Sequence, residues 1–88
     1  MPNTMNSVEL DGVEFQIGDL CRITECDSDE YNLYTRHVMQ IKKIYIDSYG
    51  DTQVLLFDTR RRTLYGSVIV ATPIPKLYEV LTKLEKIS

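Results

Sequence analysis

The chain has 88 residues, 43% hydrophobic and 26% charged, with four Gly, three Pro and a formal net charge of −3, a balance that excludes collagen-like, coiled-coil and low-complexity disordered chains. A domain of this size hides only roughly 60–65% of the surface its extended chain exposes, so few apolar side chains are spare to line a deep substrate pocket. No apolar run approaches the ~20 residues of a membrane-spanning helix, and Met1-Pro2-Asn3-Thr4-Met5-Asn6-Ser7 lacks the basic and apolar regions of a secretory leader, so a cytoplasmic location without membrane insertion is expected.

Residues 1–7 carry no strand or helix pattern and are expected as a flexible lead-in, with 8–88 forming one domain. Val8 to Ile17 alternates apolar and polar residues on both sides of Asp11-Gly12, a pair that tolerates the positive φ angles of a two-residue hairpin turn. Gly18-Asp19 breaks the run, and Leu20 to Thr24 resumes an extended pattern that turns Cys21 and Ile23 inward. Glu25 to Asn32 is polar and acidic and reads as an exposed loop.

Arg36 to Asp47 carries two periods. Val38, Ile41 and Ile44/Tyr45 recur at helical spacing, whereas Met39/Ile41 and Ile44/Ile46 form two alternating pairs whose phase shifts at Lys42-Lys43. The β-branched and aromatic second half favours a strand bent by a β-bulge at the lysines. Asp47 to Asp51 reads as a turn, Thr52 to Phe57 as a strand, Asp58 to Arg62 as an arginine-bearing loop, and Thr63 to Val70 as a closing strand. Thr72-Pro73-Ile74-Pro75 ends the sheet, and the stripe Leu77, Val80/Leu81, Leu84, Ile87 predicts a C-terminal α-helix.

About five short, bent strands are most economically buried as a small barrel, with the helix over one open side. Gly18-Asp19-Leu20-Cys21-Arg22-Ile23, a loop, a bent strand, Val54-Leu55-Leu56-Phe57 and a closing strand resemble the element order of SH3-like small barrels over roughly residues 13–70. Members of that superfold with a similar Gly-Asp opening include KOW-type nucleic-acid-associated domains and small accessory subunits of photosynthetic electron-transfer complexes. The expected class is therefore mainly β: a small five-stranded SH3-like barrel with a C-terminal α-helix.

Motifs for catalysis are missing. His37 is the single histidine, no local pattern joins it to a nucleophile, and it reads as a polar residue on the outer face of a strand. No P-loop or dinucleotide-binding glycine motif is present. The acidic stretch from Asp27 has Asn32 and Val38 where a calcium-binding EF-hand needs Gly and Glu. Cys21 and Cys26 lack paired C-x-x-C spacing and read as reduced thiols rather than as a zinc site or a disulfide. No catalytic residue, metal or cofactor is expected.

Surface chemistry is what remains. Residues 1–30 sum to −7 and residues 31–88 to +4, a division that is either neutralised within the fold or shown to different partners. Arg60, Arg61 and Arg62 at a hairpin tip repel one another unless anions are near, and guanidinium forks match carboxylates and phosphates alike. They either bind such a group, neutralise the acids of residues 25–30, or keep the hairpin soluble. Tyr31, Tyr34 and Tyr49 fall in loops, where tyrosine supplies contact area at low entropic cost. The expected contact set is Tyr31, Tyr34, Arg36, Tyr49, Arg60, Arg61 and Arg62. The favoured function is a protein-binding module that serves as a regulatory or accessory subunit of a larger complex. The alternative is a nucleic-acid-binding barrel that uses Arg36, Lys42, Lys43 and the arginine hairpin Arg60 to Arg62, with tyrosines stacking on unpaired bases.

Overall fold

A computed structural model describes residues 3–25, 37–73 and 81–87. These form eight strands: β1 (Asn3–Met5), β2 (Ser7–Leu10), β3 (Val13–Gln16), β4 (Leu20–Glu25), β5 (Met39–Ile46), β6 (Thr52–Asp58), β7 (Thr63–Ala71) and β8 (Lys83–Lys86). β2 and β3 pair as a separate two-stranded sheet, and the six others form one antiparallel sheet in the order β7-β6-β5-β4-β8, with β1 also paired to β5.

The β2–β3 hairpin forms where the alternation predicts it, with Leu10 opposite Val13. Asp11 and Gly12 have φ angles of 51° and 81°, the twist that joins two strands through two residues. Asp19 then closes the corner: its Oδ2 accepts the Gln16 N–H at 2.8 Å, and Lys86 Nζ lies 3.3 Å from the same oxygen.

β5 is bent at the lysines. Ile41 opposes Leu56 and Lys43 opposes Leu55, so Lys42 is the extra residue of a bulge. That insertion brings Ile44 back to the inner face three residues after Ile41, and both are fully buried. With Phe15, Cys21, Ile23, Met39, Val54, Leu56 and Val70 they make the core.

Three features depart from the sequence expectation. The SH3-like barrel with a C-terminal helix is replaced by open antiparallel sheets, and the described residues contain no helix. The terminal strands β7 and β8 are not paired as strands; one backbone bond, from the Thr82 N–H to the Ile69 carbonyl at 2.9 Å, spans them. Lys83 to Lys86, expected on the helix, is a strand that sets Ile23 opposite Leu84 and Arg22 opposite Glu85. Pairing with β4 satisfies backbone groups that a short isolated helix would leave to water. The helix positions Leu77 and Val80 lie outside the described residues. Within the segment expected as a lead-in, Asn3–Met5 pairs with Ile44–Ile46 of β5.

Candidate functional site

Inward positions of β6 alternate as Val54, Leu56 and Asp58, so the third of them puts a carboxylate where an apolar side chain would ordinarily sit. Asp58 is 1% exposed and His37, just ahead of β5, is 8% exposed. The structure corrects the outer-face reading of His37: its ring is buried, with Nδ1 2.8 Å from Asp58 Oδ2. An ionised carboxylate only accepts, so Nδ1 carries the proton and donates.

The other carboxylate oxygen organises the turn between β6 and β7. Asp58 Oδ1 accepts the backbone N–H of Arg60 at 3.0 Å and of Arg61 at 3.2 Å. The Asp58 carbonyl accepts the Arg62 N–H at 2.8 Å. Thr59 Oγ1 donates to the Val38 carbonyl at 2.7 Å, tying the turn to the start of β5. Burial alone would push the Asp58 carboxyl up. The His37 hydrogen bond, the two turn N–H groups and the charge of His37 together hold it below its ordinary value of 3.8. Oδ1 thus holds the turn while Oδ2 is held by His37.

Above this anchor Arg60, Arg61 and Arg62 are exposed, and Arg62 adopts a left-handed φ of 57°. Among the described residues, no side-chain hydrogen bond or ion pair engages Arg60 or Arg62. Arg61 also borders a cavity of about 310 Å³ with Asp58 and residues 63–68 of β7. Three consecutive guanidinium side chains are thus held on a turn whose backbone is fastened from below.

The remaining expected contacts are not gathered there. Tyr49 is 80% exposed in the β5–β6 turn, where Asp47 Oδ1 accepts its N–H. That turn lies at the opposite end of β6 from the arginines, roughly 20 Å away at the usual rise per residue. Tyr31, Tyr34, Arg36 and Cys26 lie outside the described residues. Lys42 sits over the Phe57 ring at 5.0 Å and Lys43 over the Tyr45 ring at 5.2 Å, so both cations already rest on aromatic faces. Tyr45 Oη in turn bonds Gln53 and Ser67 across the sheet.

Cys21 is a free, fully buried thiol. Burial, assisted by the charge of Asp19, pushes its pKa up to about 12, which leaves almost no thiolate at neutral pH. Among the described residues no group of three or more His, Cys, Asp or Glu side chains is placed to hold a metal ion, and no helix is long and apolar enough to cross a membrane.

No protein-family model, no curated protein and no solved structure matches the chain. The sequence reading missed the His37–Asp58 pair. A single histidine before a strand carries no mark of burial, and its partner is 21 residues away. The faint signal is Asp58 in the inward phase set by Val54 and Leu56.

Proposed function

We propose that this protein acts by binding another protein, as a small regulatory or accessory subunit, and that the β6–β7 turn docks on an acidic surface of its partner. The observation that carries the reading is the anchoring of Arg60, Arg61 and Arg62. Asp58 fixes the turn backbone through Oδ1, and buried His37 holds Asp58 through Oδ2. A fastened turn loses less conformational freedom on docking than a loose one. Guanidinium groups presented together favour paired carboxylates and speed encounter with an acidic surface. Lys42 and Lys43 resting on ring faces and the overall charge of −3 support a protein partner over a phosphate backbone, whose affinity grows with the number of phosphates neutralised.

The test is recovery of crosslinked, co-purifying protein from the native source with wild type and with the Arg60→Ala, Arg61→Ala, Arg62→Ala variant. Loss of a specific partner in the variant, at unchanged circular dichroism, supports the reading. Equal recovery removes the turn from it. Titration with single-stranded and duplex oligonucleotides at two salt concentrations runs alongside, and strongly salt-dependent binding there replaces the protein partner by nucleic acid.

A further inference from the structure

We propose a second docking surface: the groove between the β2–β3 hairpin and the β7–β8 side of the larger sheet receives a basic amphipathic segment of a partner protein. The groove encloses about 820 Å³, within the roughly 300–1,000 Å³ typical of ligand sites. It is lined by the buried Phe15 and Val70 and by Leu10, Val13, Leu81 and Leu84. Val13 is 43% exposed although it opposes Leu10 in the hairpin. An apolar side chain entering the groove therefore meets an apolar lining drawn from both the hairpin and the larger sheet.

The rim decides the charge of the occupant. Its two cations are already committed: Lys83 Nζ lies 3.5 Å from Glu25, and Lys86 Nζ lies 3.3 Å from Asp19 while donating to the Glu14 carbonyl at 2.9 Å. Its acids are not. Glu9, Asp11 and Glu85 line the groove and enter no ion pair among the described residues, Glu85 facing Arg22 in register without reaching it. A segment with apolar residues on one side and Lys or Arg flanking them fills the groove and neutralises this rim, whereas an acidic or purely apolar segment leaves three carboxylates repelled or desolvated.

This surface is independent of the arginine turn. The groove takes the Val70–Thr72 end of β7, and the turn precedes Thr63 at the other end. The protein thus offers sites of opposite charge at the two ends of one strand.

The experiment titrates the full chain, 15N-labelled, with a short amphipathic peptide of leucine and lysine and with its leucine and glutamate counterpart. Expected are amide shifts centred on Val13, Val70 and Leu84 with the lysine peptide alone. Affinity should fall on the order of tenfold in the Glu9→Gln, Asp11→Asn, Glu85→Gln variant, and also in Val13→Ser, which leaves the charge intact and changes a half-exposed position, with unchanged circular dichroism as the check on folding. The proposal is overturned by shifts elsewhere, by equal binding of the glutamate peptide, by affinity unchanged in both variants, or by absence of binding. Concentration-dependent self-association that perturbs Val13 without peptide overturns it too, assigning the groove to a second copy. None of these outcomes bears on the arginine turn, which the triple alanine variant tests separately.

Discussion

His37 Nδ1 and Asp58 Oδ2 lie 2.8 Å apart in the interior, directly beneath the turn that carries the three arginines. Replacing Asp58 by Asn keeps the volume but weakens acceptance from His37 and from the Arg60 and Arg61 N–H groups. Urea denaturation is expected to show a loss of roughly 2 kcal/mol, as for hydrogen bonds to a buried charged group. A change within about 0.5 kcal/mol, the usual scatter of neutral surface substitutions, would show that the anchor does not hold the fold.

The same carboxyl sets an acid limit. Its folded pKa is depressed below the ordinary 3.8, so the stability it adds is fully present above that value and is lost as pH falls below it through the folded value. The stability gap between wild type and Asp58→Asn is expected to narrow as pH falls below about 3.8. A gap that fails to narrow below that value contradicts the assignment.

Arg62 at φ 57° separates stability from binding. Arg62→Gly relieves the left-handed backbone and is expected to be neutral or stabilising by up to about 1 kcal/mol, whereas Arg62→Val, β-branched, costs on the order of 1–2 kcal/mol. Both substitutions remove a guanidinium, so both should weaken partner recovery. Thermal melts and recovery on the same samples check the contrast.

Cys21 is expected to resist alkylation by iodoacetamide at pH 8 in the native state and to react fully in denaturant, because burial disfavours its thiolate. Site-resolved mass spectrometry keeps it apart from Cys26. Rapid native labelling at Cys21 would show that the core around Ile23 and Met39 opens readily.

Pairing of β8 with β4 predicts coupling between Arg22 and Glu85, which are in register. Arg22→Glu and Glu85→Arg should each destabilise, and the double exchange should recover roughly 0.2–1 kcal/mol. Additive effects would mean that the two charges do not interact across the β4–β8 ladder.

The parts of the fold that could be read from the chain are those with local causes. Asp11-Gly12 allows one kind of short hairpin turn, and the phase shift between Met39/Ile41 and Ile44/Ile46 has a bulge at Lys42 as its simplest origin. β8 could not be read this way. Leu84 and Ile87 fall on a helical stripe with Leu77 and Leu81, and the strand exists because Ile23 and Arg22, some sixty positions earlier, supply an edge to pair with. β1 was missed for a similar reason, since Asn3-Thr4-Met5 has no pattern of its own and borrows its order from Ile44–Ile46. At the candidate site the arginines were legible as charge, but what fastens them was not, because the approach of His37 to Asp58 is a tertiary fact.

The β4–β8 ladder also orders events during synthesis. Cys21 to Glu25 leave the ribosome ahead of Lys83 to Lys86, and their outer edge waits for that strand before it is capped. An uncapped edge invites pairing with other nascent chains. Any pause in translation beyond Ala71 prolongs that vulnerable interval, so chaperone engagement should concentrate there.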